Sequence, residues 1–138
     1  MRKIVLVAAF GLWSAAAGAA LPVEGYWLTD DHKGLVRIGA CGRQICGWVA
    51  RVLDTAPNVP THDVNNPNPA LRSRPITGMQ TLSGFNPGAA GQYGGGHAYD
   101  PQSGRSYRAS LALNPDGSLS VTGCLLFFCQ TKRWTRVR

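Results

Sequence analysis

The chain has 138 residues, of which 14 are Lys or Arg and 7 Asp or Glu, with 17 Gly, 9 Pro and 4 Cys. That length accommodates one ordinary domain. Gly and Pro at this density break every window in which a 3.6-residue period could establish itself, so after the N-terminus a helical fold is excluded and an all-β chain is expected.

The first twenty residues stand apart. Arg2 and Lys3 form a basic start, Ile4 to Trp13 an apolar run, and Ser14 to Ala20 a tract of small residues ending Ala17, Gly18, Ala19, Ala20. This is the layout of a secretory signal peptide, cleaved after Ala19 or Ala20. The rival is an uncleaved anchor, because Ile4 to Leu21 approaches the ~18 apolar residues of a membrane span. Ala and Gly in its second half, and the AxA pattern, favour cleavage. No Cys lies nearby to be acylated. The expectation is a signal peptide over 1–20, a single domain over 21–138, no membrane span after cleavage, and a periplasmic or secreted location. Without Arg2 and Lys3 the balance is 12 basic against 7 acidic residues, a net +5. In an exported protein such a surface suits an anionic envelope polymer or lipid head group rather than nucleic acid, and a merely solvated basic surface is favoured over either.

Eight strands are expected in chain order, at about 24–30, 34–41, 45–53, 79–86, 92–99, 105–114, 118–125 and 131–137. Period-two alternation carries the assignment. Val36, Ile38 and Ala40 alternate with Arg37 and Gly39; Tyr107, Ala109, Leu111 and Leu113 alternate with Ser106, Arg108 and Ser110; Leu119 and Val121 alternate with Ser118, Ser120 and Thr122. The turns are chemically explicit. "DPQSGR" at 100–105 and "NPDG" at 114–117 set a Pro at the second turn position and a late Gly that tolerates positive φ. Glycines 94–96 resemble an anion nest, but no helix follows, so a bulged strand is the better reading. Strands this short at this spacing predict a closed or nearly closed antiparallel barrel, with a two-sheet sandwich as runner-up.

Cys41 and Cys46 bracket GRQI, and Cys124 and Cys129 bracket LLFF. An even count in an oxidising compartment predicts two disulfides. Residues five apart on a straight strand face opposite ways and cannot bond, so a bridge within each pair requires the chain to reverse between them. Of the three connectivities the two local ones are favoured. A four-thiolate zinc site is the alternative, although the spacing is not CxxC.

Between the third and fourth strands lies a long proline-studded stretch containing "NNPNPALRSRPITG" at 65–78. Its prolines limit the entropy lost on ordering. As a clamp, it folds back over one barrel end with Leu71 pointing inward and Arg72 and Arg74 held by Asp63 and backbone carbonyls. As a site, Arg72 and Arg74 receive an anionic ligand at the mouth. The clamp is favoured, since Asp63 already neutralises part of the charge. The LLFF tip, if bridged, cannot turn all four side chains inward. It reads as a binding surface, a lid or a membrane contact, or else it packs over the barrel end.

"GYW" at 25–27 and "RWTRV" at 133–137 lie near the two ends of the exported part. If first and last strands pair, Trp27 plugs one end, and Arg136, on the same face as Trp134, lays its guanidinium across an indole. Gly-x-Trp on the first strand with Arg late on the last resembles the signature of lipocalin-like barrels. "GYWLTD", "GLVRIGACGRQICGWV", "DVNNPNPALRSRPITG", "GGGHAYDPQSGRSYRA" and "RWTRV", in this order, resemble domain of unknown function family 2147. The resemblance implies a small exported bacterial protein with an all-β, roughly eight-stranded lipocalin-like barrel. It implies no established activity. "GGGHAY" departs from the bulkier aromatic start common in the family, and "LLFF" is unusually apolar.

Catalytic signatures are thin. GxSxG, HExxH and Walker patterns are missing, and His32, His62 and His97 stand singly. No cofactor or metal is implied, and no enzyme is expected. The leading expectation is a binding module for an apolar or amphipathic small ligand, with Trp27, Tyr107 and Phe127 lining its mouth. The alternative is an envelope structural or interaction protein whose barrel is filled by its own side chains, with a basic surface for anionic partners.

Overall fold

The structure, a computed structural model, describes residue 11 and residues 21–138. Apart from residue 11, the expected signal peptide lies outside the described residues.

Eight strands form one closed antiparallel barrel in sequential order: β1 (Gly25–Leu28), β2 (Gly34–Cys41), β3 (Gln44–Val52), β4 (Gln80–Pro87), β5 (Gln92–Asp100), β6 (Arg105–Leu113), β7 (Leu119–Leu125) and β8 (Phe128–Val137). Closure comes from β1 pairing with β8, where Trp27 stands directly opposite Arg136. Full closure leaves no sheet edge running the length of the barrel. The sandwich is thereby excluded. β8 starts three residues earlier than the sequence pattern placed it, because the β7–β8 ladder continues through Cys124 opposite Cys129 to Leu125 opposite Phe128.

Alternation places the core. Ile38, Ile45, Leu82, Phe85, Leu111 and Leu119 point into the barrel and are almost wholly buried, together with Val23 and Trp27. Each such aliphatic or aromatic side chain contributes roughly 1.5–3 kcal/mol on burial. Ala40 departs from the pattern: it is exposed while Gly39 is buried, since the strand has reached the β2–β3 turn. The register between β5 and β6 shifts between Tyr93 and Gly96, which is the expected bulge. Gly96 is needed for space as well, because a Cβ there would stand 2.5 Å from the Phe85 ring.

Both disulfides are local, Cys41–Cys46 across the β2–β3 turn and Cys124–Cys129 across the β7–β8 turn. Neither pair holds a metal as free thiols. Among the described residues no helix is long and apolar enough to cross a membrane.

Candidate functional site

The two barrel ends differ. At one end Trp27 is fully buried, its indole N–H donating to the Val23 carbonyl at 2.9 Å. The Arg136 guanidinium lies 4.3 Å from the centre of the Trp27 ring. It also donates to the Glu24 carbonyl at 2.8 Å and to the Pro22 carbonyl, so the chain entering β1 is tied to the end of β8. The capped indole is therefore Trp27. Gly25 is required beneath this cap: its φ is +140°, and a Cβ would come within 2.8 Å of an Arg136 terminal nitrogen.

The other end opens into a cavity of about 860 Å³. Its apolar wall includes Val36, Val49, Leu82, Val121 and Trp134, with Tyr107 contributed by β6. Phe128, Gln130, Lys132 and Trp134, alternate residues of β8, all line it. The rim is polar. Lys33 pairs with Asp54 at 3.7 Å and Lys132 with Asp30 at 3.5 Å, while Arg105 reaches the rim from the start of β6. Apolar walls with a few polar groups at the opening are the usual construction of a small-molecule site.

Residues 53–79 cross this open end, and their fixed point is Asp63. Its carboxylate is fully buried. One oxygen accepts from the Tyr99 hydroxyl at 2.6 Å; the other accepts from Asn66 Nδ2 at 2.8 Å and Arg74 Nε at 2.9 Å. The Arg74 guanidinium lies 5.5 Å from the centre of the Tyr99 ring. Burial alone pushes the Asp63 carboxyl up, but the bonds from Tyr99, Asn66 and Arg74 outweigh it and hold the group below the usual aspartate range. Burial and the adjacent carboxylate push the Tyr99 phenol up to about 12. Arg72 Nε donates to the Asn66 carbonyl at 2.8 Å. Farther along, Asn65 Nδ2 donates to the Gln102 carbonyl at 2.9 Å, fastening the loop to the β5–β6 turn.

The geometry is thus that of the clamp, with one correction. Leu71 sits on a single 3-10 turn, Pro69–Leu71, and is 38% exposed rather than turned inward. Val49, Ile76 and Met79 form the small apolar cluster under the loop, packed against Tyr99.

Of the residues expected at the mouth, Tyr107 lines the cavity. Trp27 lies instead within the closed end, among Val23 and the other core side chains. Phe127 is 99% exposed at the β7–β8 tip, with Leu126 at 79% and Phe128 at 83%. Arg72 and Arg74 hold the loop and do not line the cavity. Trp134, read as part of the end seal, forms cavity wall. Sequence reasoning missed Gln130, Lys132 and Arg105. Extending the alternation of β8 back from Trp134 would have found the first two. Tyr99 was missed for a physical reason: alternation with Ala98 assigns its strand position to the outer face, yet its side chain lines the cavity and packs on Val49, Ile76 and Met79 beneath the returning loop.

Fold and site together define a lipocalin-like barrel, sealed at one end and open to a cavity at the other. The chain belongs to DUF2147, described as an uncharacterized protein conserved in bacteria, which matches residues 25–136. Among solved structures it is similar to protein HP1028 of Helicobacter pylori, described as belonging to the lipocalin family. That similarity is a TM-score of 0.74 at 24% identity over 83% of this chain and 82% of the other. It establishes the fold. No curated protein matches the sequence.

Proposed function

We propose that this protein is an exported binding module, not an enzyme, that takes a small apolar or amphipathic ligand into the open end of its barrel. The observation that carries this reading is the cavity of about 860 Å³, walled by Val36, Val49, Leu82, Val121 and Trp134 and rimmed by charged groups. The buried core fills the barrel toward its Trp27 end, so this volume lies at the open end, above Leu82 and Trp134. The lipocalin-like fold supports the same reading, as do the two disulfides for an oxidising compartment.

Native mass spectrometry of the protein purified from its own cell envelope tests both parts. The expected result is a retained small molecule on a chain beginning at Ala20 or Leu21. Gly123→Phe, which places a ring in the cavity beside Tyr107, should release that molecule. A chain of full-length mass would overturn export. The rival reading, an envelope interaction protein, has the net +5 of residues 21–138 in its favour. Recovery of an anionic polymer with no retained small molecule would support it instead.

A further inference from the structure

The β7–β8 turn presents an exposed apolar tip that the barrel core does not use. Leu126 and Phe127 make the two-residue turn, with Leu126 at φ 53°, a region that branched side chains rarely adopt. The Cys124–Cys129 bridge fixes the hairpin just behind them. The same hairpin is continuous with the cavity: Leu125 and Phe128 line it, while Leu126 and Phe127 project into solvent. A strained turn made from the least soluble side chains, and held by a crosslink, is costly in water unless something apolar receives it.

We propose that this tip inserts into an anionic lipid bilayer and docks the open barrel end against the membrane surface. The Arg108 guanidinium donates to the Leu126 carbonyl at 3.3 Å, holding a cation at the base of the tip. The rest of the rim is close to balance: Asp30 and Asp54 pair with lysines, and Arg105 is offset by Asp31 and Asp100, which accept only from uncharged donors and so keep their charge. Residues 21–138 carry five more basic than acidic groups, which favours an anionic surface over a neutral one. A second copy of the chain is a poorer fit. One leucine and two phenylalanines offer on the order of 500 Å², below the roughly 800 Å² per partner of a stable interface. The proposal does not depend on the barrel holding a ligand.

Vesicle co-sedimentation of the full chain tests it, comparing phosphatidylglycerol-containing vesicles with pure phosphatidylcholine. The parent should bind the anionic vesicles at least several-fold more tightly, and less so as salt is raised. Phe127→Ser should weaken that binding about tenfold or more, with the melting temperature unchanged. Both proteins share residues 1–20, so any contribution of that apolar run cancels in the comparison. As a second readout, Phe127→Trp should gain emission, relative to the parent, that brominated lipids quench. Equal binding by parent and Phe127→Ser, or added emission from Phe127→Trp that brominated lipids leave unquenched, would overturn the proposal. So would a concentration-dependent dimer that forms through the tip without vesicle binding.

Discussion

The Tyr99 hydroxyl donates to the Asp63 carboxylate across 2.6 Å, joining the middle of the β3–β4 connection to the end of β5 at the barrel mouth. Every oxygen of Asp63 is satisfied within the fold, by Tyr99, Asn66 and Arg74. Removing the carboxylate leaves three donors without their acceptor, one of them a guanidinium. Asp63→Ala should lower stability by about 3 kcal/mol, toward the low end for a broken buried pair because Arg74 is partly solvated. A urea melt reads this. A loss below about 0.5 kcal/mol would show that the loop is not held by this contact.

Asp63 also gives stability a pH dependence. Its folded carboxyl titrates below the usual range, so the stabilisation is fully present above the unfolded value of about 4 and is lost as pH falls through the folded value. Melting temperatures should therefore fall on acidification below about pH 4 more steeply for the parent than for Asp63→Asn. Parallel curves for the two proteins would contradict this.

Tyr99 acts at the alkaline end with the opposite sign. Its folded phenol is raised to about 12, so its contribution is complete below the unfolded value of about 10 and disappears as pH rises through about 12. The difference in ultraviolet absorbance titration between parent and Tyr99→Phe should show one phenol ionising near pH 12. A difference curve centred on pH 10 would mean that Tyr99 is not bonded to the carboxylate.

At the closed end, Gly25, Trp27 and Arg136 act as a unit. Gly25→Ala should cost about 2 kcal/mol, from the unfavourable φ and the displaced guanidinium. Arg136→Ala should cost a similar amount by removing the ring contact and two carbonyl bonds. Because both changes break the same cap, the double variant should lose clearly less than their sum. Additive losses in a double-mutant cycle would separate the two residues.

The β7–β8 crosslink closes a very short loop. Replacing Cys124 and Cys129 together by Ser should lower stability by roughly 2 kcal/mol, the loop-closure entropy of that bridge. Denaturant melts in the absence of reductant measure it. A variant as stable as the parent would mean that the native turn already limits the unfolded chain.

Much of the barrel was legible because its code is local. The alternation of Tyr107, Ala109 and Leu111, the turn residues at 100–105 and 114–117, and the twin cysteine pairs each constrain only their neighbours, and the strands lie where those patterns put them. That the first and last strands would pair and an arginine would cap an indole was legible because closure leaves those two strands one free edge each, while the structure shows the indole to be Trp27. What failed was anything set by the returning loop. Whether Leu71 turns in or out, and which ring Asp63 meets, depends on where residues 53–79 land. No periodicity encodes that landing. Tyr99 carries an outward-facing strand position that normally signals solvent, and the contact that buries its hydroxyl lies 36 residues away in sequence.

The cap at Trp27 makes the barrel a vessel with a single door. A ligand of the proposed kind would have to enter and depart by the same passage, so occupant and replacement could not pass through in file. Residence time then belongs to the doorway, and the threshold is built from residues 53–79, the β5–β6 turn and the apolar hairpin. Loosening the Asp63 anchor would change both passage rates, and the affinity for a ligand of the proposed kind too, because Val59, Asn65 and Ile76 of the same loop line the cavity.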